Sequence, residues 1–142
     1  MAYTKIEKKS GWVDVINDDF DIKASELQTD GVTVLNGLKV EETLGYYTYK
    51  MGDLTIVKTH GVLSGLSADA ANTMTDVASF PAGLLSGHDD TEVIGGAGIK
   101  NNGSGQNEFL NIYRDGDKLG VQTFGEQGTN LVFGIDIWFA YK

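Results

Sequence analysis

The segment from Leu131 to Tyr141 reads LVFGIDIWFAY and alternates along its whole length. Side chains on a strand alternate with period 2, so Leu131, Phe133, Ile135, Ile137, Phe139 and Tyr141 share one face. Val132, Gly134, Asp136, Trp138 and Ala140 share the other. The first face is a core face. A Trp near an Asp is unusual on a purely solvated face, so something is expected to pack there, either a neighbouring subunit or a ligand.

The rest of the chain from Val32 onward carries the same chemistry. VTVLNG reads as a short strand ending at a turn, and GYYTYK and DLTIVKTHGVL flank a hairpin placed at Met51-Gly52. Ser64 to Thr75 reads as a loop, with a helical turn at Ala68 to Ala71. Val77 to Phe80 is a strand closed by Pro81-Ala82-Gly83, where proline removes a donor and glycine frees the backbone. Glu92 to Ile94 and Gly98 to Lys100 bracket a glycine pair, and Asn101 to Asn107 is a polar loop tip. Asp115-Gly116 joins Phe109 to Arg114 with Lys118 to Phe124.

This makes seven or eight strands, and the 19 glycines beside a single proline suit many tight turns. The expected fold is mainly β, a short N-terminal helix followed by an antiparallel β-sandwich or jelly-roll-like barrel head. The helical part rests on Trp12, Val13, Ile16, Phe20, Ala24 and Leu27, which recur mostly at three- and four-residue spacings. Asn17 is its N-cap, Asp18 and Asp19 fill its first turn, and Gly31 stops it. A helix of about three turns is not stable alone, so it must pack, for example around a symmetry axis. The division is thus residues 1–31, an arm and a docking or trimerisation helix, and residues 32–142, the head.

Charge and composition exclude several functions. A net charge of −9 disfavours nucleic acid and anionic membranes. With no cysteine there is no disulfide, thiolate metal site or cysteine nucleophile. No run approaches the roughly 20 apolar residues that span a bilayer. The basic N-terminus lacks the apolar stretch of a secretory signal. The expectation is a protein made in a cytoplasm that leaves it as part of something larger.

The succession GYYTYKMGDLTIVKTHGVL, ASFPAGL, EFLNIYRDGDKLGVQ and an aromatic closing strand resembles a known family. It is similar to the head module of receptor-binding and baseplate proteins from tailed phages of Gram-positive (lactic acid) bacteria. The segment GWVDVINDDFDIKASEL resembles the piece by which such proteins, notably those of Lactococcus-infecting siphophages, dock onto the tail. The resemblance implies a homotrimer in the distal tail of the virion, a β-barrel head, non-covalent binding of host cell-surface saccharide, and a second baseplate protein held through the N-terminal helix. One departure is the lack of a neck or β-helical shoulder between helix and head. The alternative is a structural baseplate or fibre subunit without a receptor site.

Sugar sites place an aromatic ring against the apolar face of the sugar and ring it with Asp, Asn or His. The candidates are His88, Asp89, Asn101, Asn107, Tyr113, Asp136 and Trp138. Trp138 suits a subunit interface as well as a ligand. His60, inside a strand, reads as a packed or hydrogen-bonded residue. Tyr46, Tyr47 and Tyr49 read as core and hairpin pairs rather than a platform. Arg114 or Lys100 would assist a phosphate-bearing ligand, but the acidic balance favours a neutral sugar or glycerol-like moiety.

No metal or cofactor site emerges. His88-Asp89-Asp90 is a poor zinc set. Asn17-Asp18-Asp19-Asp21 lacks the Gly and Glu of a calcium loop, having Ile22 and Gln28 there. Gly96-Ala97-Gly98 completes no dinucleotide fingerprint. No nucleophile motif appears, so the chain is read as a binding protein and not an enzyme.

Overall fold

The computed structural model describes residues 23–67, 74–85, 92–101, 107–124 and 130–141. These residues form antiparallel strands, with no helix among them. In chain order the strands are β1 (Lys23–Ala24), β2 (Thr33–Val34), β3 (Lys39–Met51), β4 (Leu54–Leu66), β5 (Met74–Ser79), β6 (Glu92–Asn101), β7 (Asn107–Asp115), β8 (Lys118–Phe124), β9 (Leu131–Gly134) and β10 (Trp138–Tyr141). Their order across the sheet is β1-β3-β4-β9-β6-β7-β8-β5-β2, with β10 added on β4 beside β9.

That order forces the sheet to curl. β1 and β2 lie at opposite ends of it, yet only the chain between Ala24 and Thr33 connects them. The nine residue steps from Ala24 to Thr33, fully extended, reach about 30 Å, whereas nine strands laid flat would span about 38 Å. The two ends do meet: Tyr46 of β3 packs edge-on against Phe80, just past β5, with ring centroids 6.4 Å apart. One apolar core fills the inside, with Val57 and Leu63 of β4, Val77 of β5, Leu110 and Ile112 of β7, Leu119 and Val121 of β8, and Leu131, Phe133, Ile135 and Phe139 fully or nearly fully buried.

The helix expected up to Gly31 does not run through its second half. Lys23 and Ala24 pair with Lys50 and Tyr49, the Ser25 N–H donates to Thr48 O, and Gln28 and Tyr46 exchange backbone hydrogen bonds of 2.9 Å each way. Residues 23 to 28 are therefore a strand-like edging of β3. Gly45 makes the approach possible, since a Cβ there would meet Gln28 O at 2.5 Å. The first part of the expected helix lies outside the described residues, as does the helical turn expected at Ala68 to Ala71.

Both expected hairpins exist, each shifted by one residue. Met51 pairs with Leu54 and Asp115 with Lys118, which leaves Gly52-Asp53 and Gly116-Asp117 as the central pairs. The glycines adopt φ of +60° and +56°, while neither aspartate has positive φ. A glycine with positive φ at the first central position alone is the requirement of a type II′ turn, which matches strand twist. Strand limits shift too: β4 extends to Leu66, β5 begins at Met74, and β6 runs unbroken through Gly95 and Gly96. In β4, Val57, Thr59, Gly61 and Leu63 face inward, then Gly65 (φ +89°) sits at a register shift and Leu66 turns inward instead.

Candidate functional site

The closing segment keeps its alternation but pairs with β4 in two blocks. Gly134 lies opposite Val62 and Trp138 opposite Lys58. Between them, residues 135 to 137 run beside 59 to 61 without a shift in register. Thr59 supplies what the ladder loses there. Its N–H donates to Ile137 O at 2.9 Å, and its buried hydroxyl accepts from the Ile137 N–H at 3.0 Å and donates to Ile135 O. The register therefore carries Asp136 to His60 and Trp138 to Lys58 on the outer surface.

The β3–β4 pairing completes that surface. Tyr47, Lys58 and Trp138 form one row across β3, β4 and β10, and Tyr49, Ile56 and Ala140 form the next. Contacts link the rows diagonally. The Tyr49 and Trp138 rings stack at 5.6 Å and 29°. The Lys58 ammonium lies 5.6 Å from the centroid of the Trp138 ring and 6.0 Å from that of Tyr47. Tyr47 packs tilted on His60 at 6.2 Å. His60 Nδ1 is 3.0 Å from Asp136 Oδ1, and Lys58 Nζ is 3.5 Å from the same oxygen. A carboxylate oxygen accepts, so Nδ1 carries the hydrogen and Nε2 is the ring nitrogen left to a ligand.

Trp138 remains 59% exposed in the middle of this cluster, the most exposed of the large apolar side chains in the described residues. An indole stacked on Tyr49 yet still largely open, with a carboxylate, an imidazole and an ammonium in the same cluster, can offer its open surface to an apolar ring face. It can also bond to hydroxyls around that face. Among the described residues no group of three His, Asp or Glu side chains is placed to hold a metal ion.

Of the residues expected in a saccharide site, Asp136 and Trp138 come together here. Tyr113 does not join them. It is buried on β7, its ring fills the space above Gly120, and its hydroxyl donates to Asp76 Oδ1 at 3.3 Å. Burial first, and then the charge of Asp76, push its phenol well above the ordinary value. Asn101 and Asn107 end β6 and begin β7, next to each other in the ladder through Lys100. His88 and Asp89 lie outside the described residues. Arg114 is withdrawn from any phosphate, being buried with its guanidinium donating to Leu85 O at 2.7 Å and lying 5.7 Å from the Phe139 ring centroid.

Sequence reasoning missed Tyr47, Tyr49, Lys58 and His60 as members of the site. Tyr46 is a core residue as expected, but its neighbours point the other way. The parity of the strand was the available signal: with Tyr46 inside, Tyr47 and Tyr49 share the opposite face, and the register with β4 is regular from Gly45 to Met51.

No protein-family model matches the chain, and comparisons with curated proteins and with solved structures likewise find no match.

Proposed function

We propose that the chain is a saccharide-binding attachment protein, a receptor-binding protein of a phage tail baseplate whose head docks on host cell-wall saccharide. The observation that carries this reading is the half-open Trp138 indole, braced by Tyr49 and bordered by Lys58, His60 and Asp136. Lys58 and Asp136 balance each other's charge, which suits a neutral sugar better than a phosphate. The curled antiparallel sheet around one core supports a jelly-roll-like head. Each site is shallow and weak, and a homotrimer of such heads, repeated around a tail, gains strength by avidity of about 10² to 10⁴. The test is titration of the protein with cell-wall polysaccharide purified from lactic acid bacteria. Trp138→Ala, still folded, should bind at least about tenfold more weakly. Equal binding by both proteins refutes the site.

A structural baseplate subunit is the second reading. It is favoured by the position of Trp138 on β10, a strand whose ladder partner among the described residues is β4 alone. A strand edge bearing an exposed Trp is a natural contact for another chain. Light scattering separates the two: a mass near three times 15.3 kDa that falls to one in Trp138→Ala puts the indole between subunits. A trimer that survives the substitution leaves the indole to the ligand.

A further inference from the structure

The outer face of β3, β4 and β10 has the parts of a cation site. Two aromatic rings, Tyr47 and Trp138, flank one point in space, and the carboxylate of Asp136 lies beside it. Ring faces are electron-rich and attract a cation within about 6 Å of the centroid, more strongly as water is removed. In this protein the point is already taken. The Lys58 ammonium sits 6.0 Å and 5.6 Å from the two ring centroids and 3.5 Å from Asp136 Oδ1, with the side chain 28% exposed.

We propose that Lys58 determines which class of ligand this face accepts. Its ammonium fills the cation-accepting position from within the chain and neutralises Asp136. A positively charged ligand, such as a quaternary ammonium, finds its seat occupied and meets a like charge. An anionic ligand finds the only cation of the cluster already paired with a carboxylate. What remains is the indole, the second carboxylate oxygen, and the Nε2 of His60, which together suit an uncharged polyhydroxyl compound. The choice of ligand rests on the saccharide reading above, whereas the occupied cation seat stands on the geometry alone.

The consequence is a predicted change of ligand class from one substitution. Lys58→Gln keeps a long polar stem but vacates the seat, leaving two rings and an unbalanced carboxylate. The experiment follows Trp138 fluorescence in the full chain carrying Trp12→Phe, so that one indole reports, during titration with tetramethylammonium chloride against sodium chloride at equal ionic strength. Wild-type Lys58 and Lys58→Arg, which keeps a cation in place, should show no response beyond that to salt. Lys58→Gln should show saturable quenching, with an affinity at least about tenfold above that of the parent, the worth of one partly desolvated cation–π contact. Adding Asp136→Asn should remove the gained response. Equal responses in parent and Lys58→Gln, or none in either folded protein, overturn the proposal. A parallel titration with neutral cell-wall polysaccharide decides the saccharide reading separately. Its failure beside a clear ammonium response would remove the sugar and keep the assignment of Lys58.

Discussion

Tyr49 on β3 and Trp138 on β10 stack across the width of β4, with ring centroids 5.6 Å apart. The strand between them contributes Ile56 and Lys58, over which the two rings meet. The pair thus ties the closing strand to the hairpin at its outer surface, while Phe139 and Val57 tie it from inside. Offset aromatic pairs contribute about 0.5–1.5 kcal/mol beyond the area they bury. A double-mutant cycle of Tyr49→Ala and Trp138→Ala should give a coupling of about 1 kcal/mol in urea unfolding. Additive losses would mean the rings do not hold each other in solution.

Gly120 and Tyr113 form the second tight relationship. A Cβ at Gly120 would collide with Cζ and the hydroxyl of Tyr113. Gly120→Ala must therefore expel the ring and break its hydrogen bond to Asp76. Overpacking of this kind costs about 1–3 kcal/mol. The loss should appear as a lower urea midpoint. Tyr113→Ala in the same chain should make Gly120→Ala nearly neutral, because the obstacle is gone.

Stability should fall in alkali through the groups around Asp76. Burial foremost, with the charge and hydrogen bond of Asp76, raises the Tyr113 phenol above its ordinary value, and the hydrogen bond to Asp76 raises the Lys118 ammonium. Lys118 Nζ lies 3.0 Å from Asp76 Oδ2. The contribution is complete below about pH 10, where both states hold their protons. Above it the unfolded chain releases the Tyr113 proton while the folded chain keeps it, so each further rise in pH favours unfolding. Tyr113→Phe should be less stable at neutral pH but lose stability less steeply from pH 10 upward. Parallel curves for the two proteins would contradict the role of the phenol.

Gly116 has φ of +56° at a hairpin centre with open space around its Cα. Gly116→Ala therefore meets no neighbour and suffers backbone strain alone, about 1 kcal/mol. Thermal unfolding of the parent and Gly116→Ala checks the loss.

How far the fold was readable follows from the range of each interaction. The alternation from Leu131 to Tyr141 is a local property, and it survives even where the ladder changes hands at Thr59. Hairpins were visible because glycine marks them, although the positive φ that fixes which residues are central is a property of the backbone and not of the letter. Residues 23 to 28 looked helical because their apolar spacing admits it. They are extended because β3 offers an edge, and Gly45 the room, which only tertiary structure supplies.

The site was half legible for the same reason. Asp136 and Trp138 announce themselves by breaking the pattern of a solvated face. Tyr49, Lys58 and His60 join them only through the registers of β3 with β4 and of β4 with β10, which no single segment encodes. Tyr113 and Arg114 are adjacent yet both buried, against strand parity. One fills the slot left by Gly120, and the other sends its guanidinium to a carbonyl inside.

The most direct test of the account is an NMR titration of the Trp138 indole N–H with neutral cell-wall polysaccharide, in protein carrying Trp12→Phe. The account predicts a saturable shift of that resonance, together with the backbone amides of Tyr49, Lys58 and His60. Binding that shifts a different set of residues, or none at all at any concentration reached, would contradict it.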